Sequence, residues 1–482
     1  MTPEQVEPLK YSYDILGEEC LQKLNQISPP LSPVLLRSNS AQLAESIRAR
    51  HQVRADSPMQ NDPPRRQSAT QVNDTSNPTS TERDLYALLK NHHEEDEKLQ
   101  ELWTQIHTVP DWVDWDQLSR GQDVFYRYGG PAIQGLAYQS LLGGMGAARV
   151  VEVLARTGGF STKVARRRVY ETTQHILQCT RSLESIQPGG AGFISSVRVR
   201  LLHAAVRMRI MKLASQRPEY YSVEKYGVPI NDLDSIATIG TFSSSLIWVS
   251  FPRQGIFLRE QEIIDYIALW RYIAYLVGCP TNFFETPASA KRIFEVLLLY
   301  EVQPSEMSGI LANNIILSLK DQPPTWASAD MLIASARWLN GDELCDALQL
   351  PRPSLYYRGL VIGQCIFFII FTYSNRAIPS WDRKKIDFMK RVYYAVIVDS
   401  KTGLGKETLF DFKYVPEFET VTELGKDGKV EDAHRVVDRR NLKYLVIGLT
   451  ILTCTTWASV KLTGIAVRGV FALVNYGLKA VQ

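Results

Sequence analysis

In the stretch RVRLLHAAVRMRI, residues 198–210, one histidine and several arginines interrupt an otherwise apolar helical pattern. His203 follows Arg200 by three residues and precedes Arg207 by four, so a helix would place all three side chains on one face. Comparable helical spacing of apolar residues runs through residues 82–399, whereas alternating strand patterns and hairpin turns are scarce. The sequence therefore predicts an all-α body.

The pattern around His203 allows two interpretations. In the first, a neutral imidazole binds haem iron, and the two arginines pair with the carboxylates of the haem propionates. In the second, His203 is a core histidine hydrogen-bonded to a carbonyl group, and the arginines extend to solvent. Spacing alone does not decide between a haem site and an ordinary core helix.

Composition excludes several classes of protein. The chain has 482 residues and a formal net charge of +3. A protein that binds nucleic acid is normally much more basic, so this charge gives no support to a nucleic-acid partner. A nucleic-acid site would rest only on the run 166–168, three consecutive arginines. The six cysteines are scattered without CxxC spacing, which argues against a disulfide framework and structural zinc modules. None lies in the glycine-rich loop that a thiolate-ligated P450-type haem requires.

Changes in composition divide the chain into four parts. Residues 1–81 are predicted to be disordered, 82–399 to form the helical catalytic body, 400–443 a polar linker, and 444–482 a membrane-associated tail. Residues 444–460 carry no charge and would form a helix about 26 Å long, which suits a membrane anchor or a buried core helix.

Membrane topology and targeting follow from the flanking residues. The first residues lack the pattern of a secretory signal peptide. Basic residues before position 444 favour a cytosolic body, although further basic residues follow the apolar run. A second apolar run, residues 359–373, has fifteen residues, and this length favours a buried core helix over a membrane span.

The other histidines are weaker candidates for chemistry. His92 and His93 belong to a strongly polar helical face, which is typical of solvated side chains. His175 lies on the predicted helix that follows residue 162, either as a group supporting a metal ligand or as a packed side chain. His434 lies in the polar linker.

Four motifs in order resemble the catalytic domain shared by the rubber oxygenases (latex-clearing proteins) and the ER-bound oxygenases of fungal terpenoid biosynthesis. The first is VPDWVDWDQLSRGQDVFYRYG at 109–129, and the second is VLARTGGFSTKVARRRVYETTQHI at 153–176. The third is the stretch around His203. The fourth combines INDLDSIATIGTFS at 230–243 with YIALWRYIAYLVGCP at 266–280. The resemblance covers a little over half of the chain.

The resemblance implies a globin-like helical core around a non-covalent haem b, and a membrane-bound enzyme of the endoplasmic reticulum. O₂ and an unsaturated apolar molecule would be the substrates, and cleavage of a C=C bond would give two carbonyl fragments. By position, the implied roles are His203 as iron ligand, Arg200 and Arg207 as propionate partners, Arg168 and Thr172 as distal polar groups, Thr238 or Thr241 as a further threonine near the haem, and Glu152 as a general base.

One position departs from the family. The rubber oxygenases carry a lysine just before the distal threonine, whereas this sequence has Glu171. A carboxylate differs in charge and reach, so the departure puts polyisoprene cleavage in question more than haem binding. It also motivates the alternative of a catalytically inactive haem-binding protein or a membrane scaffold with the same fold.

Overall fold

A computed structural model of the protein describes residues 2–30 and 83–409, and scattered helical positions between 442 and 464. All regular structure in these residues is helical, and their β-type pairing is limited to an isolated bridge between Ala147 and Gln303. The predicted all-α class is confirmed. The predictions for residues 31–82 and 410–441, and most of those for the tail, lie outside the described residues.

The helices are numbered in chain order within the described residues. They are α1 (Pro3–Val6), α2 (Ile15–Ile27), α3 (Leu85–His92), α4 (Glu97–His107), α5 (Trp115–Arg127), α6 (Gly129–Gln134), α7 (Ala148–Thr157), α8 (Ala165–Thr180), α9 (Leu183–Ile186), α10 (Ala191–Gln216), α11 (Val223–Tyr226), α12 (Asp232–Phe242), α13 (Phe251–Arg253), α14 (Glu260–Leu276), α15 (Pro287–Tyr300), α16 (Glu306–Leu319), α17 (Ala329–Asn340), α18 (Asp342–Ala347), α19 (Leu355–Arg376) and α20 (Pro379–Tyr394). Segments Gly135–Leu142, Leu246–Ser250 and Ala395–Asp399 are π-helical.

Helices α5 and α14 form the centre of the main core. Gly121 on α5 allows this close approach, because a Cβ atom there would lie 2.4 Å from the carbonyl oxygen of Asp265. Arg120 fastens the same pair through two hydrogen bonds to the Asp265 carboxylate, of 2.9 and 3.1 Å. Trp270 and Tyr126 are almost completely buried between these helices and their neighbours.

Helix α10 has protein on several sides, because its apolar residues are not confined to one stripe. It contacts α2, α3, α8 and α14. The crossing with α8 is especially close at Gly192, where a Cβ atom would lie 2.6 Å from the carbonyl oxygen of Gln178. The stretch that carries His203 is therefore held in the interior of the body.

The prediction that residues 1–81 are disordered is wrong for the N-terminal segment, residues 2–30. Residues 3–27 are largely helical, and α2 buries Cys20, Leu21 and Leu24 completely or nearly so. The backbone also joins the body, because Val228 N–H donates to the carbonyl of Lys10 at 2.8 Å. Apolar side chains at helical spacing supply this short segment with buried surface that the polar residues after it do not offer.

The prediction that residues 359–373 form a buried core helix is wrong about burial, because the helix they form, α19, is largely exposed. It has 22 residues and is long and apolar enough to cross a membrane, yet most of its apolar window is not buried within the described structure. Only Val361, Cys365 and Thr372 are buried along it. The outward residues Ile362, Ile366, Phe367 and Ile370 form what is called here the α19 stripe.

Candidate functional site

The candidate site lies where α8 packs against α10, and a histidine from each helix contributes to it. His175 of α8 is buried, and its Nδ1 lies 2.6 Å from the Ser195 hydroxyl oxygen of α10. Burial, with a smaller contribution from the charge of His203, lowers the pKa of His175 to about 4. The two imidazoles therefore lie near enough to influence each other's charge.

His203 is held as a neutral imidazole. Burial, assisted by the positive charge of Arg207 and opposed by Asp14, lowers the pKa of His203 to about 4. No hydrogen bond engages its ring among residues 2–30 and 83–409. A neutral imidazole without a hydrogen-bonded nitrogen can donate a lone pair to a metal ion. The arrangement is thus chemically suited to axial ligation.

Arg200 and Arg207 point toward the N-terminal segment. Both Nε and Nη2 of Arg200 donate to the Asp14 carboxylate at 2.7 Å, and its Nη1 donates to Gln105 at 2.9 Å. Arg207 donates to Glu18 at 3.3 Å and to a backbone carbonyl, while its buried Nε has no partner. Only Arg207 therefore retains a free buried donor.

A glycine makes room for the buried pair of Arg200 and Asp14. A Cβ atom on Gly278 would lie 2.7 Å from both Arg200 Nε and Asp14 Oδ2. Its φ of +75° is also in the left-handed region that favours glycine. The loop after α14 thus seals this ion pair, which is a structural contact between α10 and the N-terminal segment.

On α8, Glu171 organises the polar residues beside the histidines. It is 3% exposed, and its two carboxylate oxygens accept hydrogen bonds from Arg167 at 3.0 Å and Arg168 at 2.9 Å. Burial lowers the pKa of Arg168, although the nearby Glu171 opposes this effect. Thr172 is exposed, and its hydroxyl forms no hydrogen bond within the described part of the chain. Glu171 therefore fixes Arg168 while Thr172 stays free.

The remaining predicted residues lie on α7 and α12. Thr238 and Thr241 both belong to α12, where each hydroxyl donates to a backbone carbonyl of its own helix at 2.8 and 2.7 Å. Glu152 of α7 accepts a hydrogen bond from Arg156 at 2.5 Å and is only partly buried. The structure thus places His175 and His203 near each other where α8 meets α10, and it gives Glu152 a cationic partner in its own helix.

The donors present fit a haem in part. The His203 imidazole suits axial ligation of iron, and the free Nε of Arg207 suits a carboxylate. Arg200 does not fit this role in the arrangement described, because Asp14 and Gln105 already engage its Nε, Nη1 and Nη2. Within the described residues, no cluster of three histidine, cysteine or acidic side chains could hold a bare metal ion.

Sequence reasoning did not find Asp14 and Glu18. They lie one helical turn apart, while their arginine partners lie two turns apart on α10. The two spacings differ, and nothing in a single sequence pairs Asp14 with an arginine 186 positions away. Ser195, the partner of His175, gave no signal at all.

The buried histidines predict a stability that depends on pH. The unfolded chain binds protons at His175 near pH 6.5, whereas the folded chain does so only near pH 4. We therefore expect the free energy of unfolding to fall as the pH drops through this interval, by about 3 kcal/mol for a single such group. Urea unfolding of His175→Gln should show a shallower pH dependence. His92→Gln, at a partly exposed position on α3, is the control and should keep the original slope. Equal slopes in all three proteins would contradict the prediction.

The chain is similar to known proteins across this region. Residues 126–362 match the family described as ER-bound oxygenase mpaB/B'/rubber oxygenase, catalytic domain. A 36-residue stretch is 58% identical to aurantioclavine synthase cnsA of Penicillium expansum, and it represents 8% of each protein. The solved latex clearing protein LCP in the closed state is 15% identical, with a TM-score of 0.49, over 61% of this chain and 79% of that one. Residues 126–362, which include α8 and α10 and make up just under half of the chain, thus match the catalytic domain of the ER-bound and rubber oxygenases.

Proposed function

We propose that the protein is a haem b-dependent oxygenase that cleaves a C=C bond of an apolar, terpenoid or isoprenoid-like molecule with O₂. The match of residues 126–362 to an oxygenase family supports the general activity. The observation that supports haem most directly is His203, a neutral imidazole without a hydrogen-bonding partner in the described residues. Cleavage is balanced by adding one oxygen atom of O₂ to each carbon of the broken double bond.

His203 would hold the iron, and Arg207 would pair with a propionate through its free Nε. A bound haem would supply the binding and activation of O₂. Because α10 is packed on several sides, it would hold the imidazole in one orientation and limit the access of water. These residues therefore account for cofactor binding rather than for the choice of substrate.

The polar groups of α8 would act on the substrate side. Glu171 keeps the guanidinium of Arg168 in place through a hydrogen bond of 2.9 Å, so this cation would orient a nearby polar atom without first being ordered. The free hydroxyl of Thr172 would donate a hydrogen bond to the same region. Thr238 and Thr241 would mainly line the proposed site without donating hydrogen bonds to it, because their hydroxyls already donate to backbone carbonyls of α12.

Glu152 would serve as the base that removes an allylic proton. For this step its carboxylate would have to exchange the 2.5 Å contact with Arg156 for the substrate proton. A substrate that displaces Arg156 would therefore activate Glu152, whereas a substrate that leaves the ion pair intact would not. This requirement would link proton removal to the position of the substrate.

The apolar substrate agrees with a protein located at a membrane. Residues 444–460 would anchor the chain in the endoplasmic reticulum, with the body in the cytosol. The described positions of this stretch are helical, and its apolar residues Val446, Ile447, Ile451 and Trp457 are exposed. An exposed apolar helix of this kind is expected to enter a bilayer.

A second candidate function is an inactive haem-binding or scaffold protein with the same fold. The observation that favours it is the engagement of Arg168 by Glu171, at the position where the resembling oxygenases carry a lysine. In this alternative, the ion pair would stabilise α8 and would not assist a reaction.

Reconstitution with haemin, followed by incubation with substrates, tests both candidates. We expect the full chain to show a Soret band and to convert at least one terpenoid alkene, in the presence of O₂, into aldehyde or ketone fragments detected by mass spectrometry. Anaerobic incubation is the control. A red protein that leaves a broad set of alkenes unchanged would favour the inactive haem-binding candidate, and a colourless protein would refute both haem-binding candidates.

A further inference from the structure

We infer that the α19 stripe is a lipid-binding face, through which the catalytic body itself rests on a bilayer separately from the C-terminal apolar segment. The inference does not depend on haem or on the oxygenase reaction. It rests on the exposure of the stripe, on the fixed position of α19, on the charges around it and on the exposure of the other apolar segment.

The stripe is continuous and apolar. Ile362, Ile366, Phe367 and Ile370 are 44%, 51%, 59% and 64% exposed, and their spacing of three or four residues places them on one face of the helix. No charged residue occurs in 359–375, between the arginines near the two ends of α19. Soluble proteins rarely leave such a row of large apolar side chains in water.

The opposite side of α19 fixes the direction of the stripe. Helices α17 and α20 pack along this helix. Near its end, the Tyr373 hydroxyl accepts a hydrogen bond from the Phe257 backbone N–H at 2.9 Å, and Arg376 donates to the Tyr128 hydroxyl at 2.6 Å. The helix therefore cannot rotate to bury the stripe without breaking these contacts.

The surrounding charges suit an anionic lipid surface. Lys384 and Arg391 of the adjoining α20 are exposed, as is Asp387 of the same helix. Arg383 of α20 and Arg358 near the start of α19 are also exposed, and they pair with Asp123 at 2.7 Å and with Asp342 at 3.0 Å. Basic residues beside an exposed apolar face are typical of helices that lie in the membrane interface. Since the inner side of α19 contacts protein, we expect the helix to lie along the interface rather than to cross it.

The described residues of the C-terminal segment leave the stripe exposed. Its described apolar residues, among them Ile451 and Trp457, are themselves exposed at 58% and 65%. The chain thus presents two separate apolar helical surfaces to solvent. Insertion of both into one bilayer would remove both from water, whereas packing one on the other would leave the outer face of the C-terminal helix exposed.

A fluorescent label on the stripe tests the inference in the full chain. Cys454 is the exposed cysteine among the described residues, so Cys454→Ser provides a background for labelling Phe367→Cys with an environment-sensitive dye. The matched control is Leu299→Cys on α15, where the native side chain is 73% exposed. Each labelled protein is mixed with vesicles of phosphatidylcholine and phosphatidylserine, with and without nitroxide groups on the acyl chains.

We expect the emission of the label at position 367 to shift to the blue on vesicles and to be quenched by the nitroxide lipids. The label at position 299 should keep its emission in water. Adding Ile366→Asp and Ile370→Asp should abolish the quenching at position 367, while circular dichroism confirms an intact helical fold. Because the measurement needs no haem, its failure is distinguishable from a failure of the proposed oxygenase activity.

Three results would overturn the inference. The first is a label at position 367 that remains in water although the protein sediments with the vesicles. The second is quenching that persists after both aspartates are introduced. The third is shielding of position 367 without vesicles that increases with protein concentration, which would show that a second copy of the chain covers the stripe.

Discussion

Replacement of His203 by alanine is expected to abolish the Soret band of the haemin-reconstituted protein. The imidazole is the proposed axial ligand, it is neutral because burial lowers its pKa to about 4, and alanine offers no atom that binds iron. The measurement is an absorption titration of the full chain with haemin, followed by gel filtration to remove haem that is not held. We expect the wild-type band to co-elute with the protein and the variant to elute without it.

Two controls separate ligation from general damage to the fold. His92→Ala removes a partly exposed histidine on α3 and should keep the full Soret band. His203→Gly with added imidazole should recover part of the band, because the free ligand can occupy the space that the side chain leaves. A His203→Ala protein that retains the wild-type spectrum would show that another residue binds the iron.

Among the variants proposed here, Arg200→Met is expected to lower the free energy of unfolding most, by about 3–5 kcal/mol. The variant removes three hydrogen bonds from a side chain that is 3% exposed, and it leaves the Asp14 carboxylate in a mostly buried position without its cation. Urea denaturation followed by circular dichroism at neutral pH measures the effect.

The double variant Asp14→Leu, Arg200→Met gives a sharper test of the cause. It removes both charges, so it should recover part of the stability that the single variant loses. Lys291→Met is the matched control on an exposed ion pair with Glu295, and we expect a change of at most about 1 kcal/mol there. A loss of similar size in Arg200→Met and Lys291→Met would contradict a structural role for the Arg200–Asp14 contact.

The sequence predicted the helices that carry strong apolar periodicity. The helical spacing predicted over residues 82–399 includes the long helices α10 and α14. The same spacing does not show where one helix ends and the next begins, as between α3 and α4. Asp96 caps a new helix there, because its carboxylate accepts from the backbone N–H groups of Lys98 and Leu99. Such a local cap competes with periodicity and ends one helix while starting the next.

Burial was harder to predict than helix formation. The apolar run at 359–373 forms a helix, but its sequence does not show how many faces of that helix pack against other parts of the protein. The N-terminal segment shows the reverse error, since α2 is short and yet buries four residues against distant parts of the chain. Both outcomes depend on tertiary contacts, which local composition does not encode.

For the candidate site, spacing correctly placed His203 and its two arginines on one helix, but it did not indicate what the arginines contact. A carboxylate from the protein and a carboxylate from a propionate satisfy a guanidinium in the same way. The choice between them depends on Asp14, which lies 186 positions away. The helical pattern placed Glu171 three residues after Arg168, and the structure adds the hydrogen bonds that join them.

The contact between Arg83 and the end of α2 has a consequence for the length of the chain between them. Arg83 donates to the Asn25 side-chain oxygen at 2.8 Å, so the point where the described chain stops and the point where it resumes lie close together. The entropy lost in closing a loop between neighbouring points grows only with the logarithm of its length, by about 0.6 kcal/mol per doubling. A change in the number of residues between Asn25 and Arg83 should therefore alter the free energy of folding of the helical body only slightly.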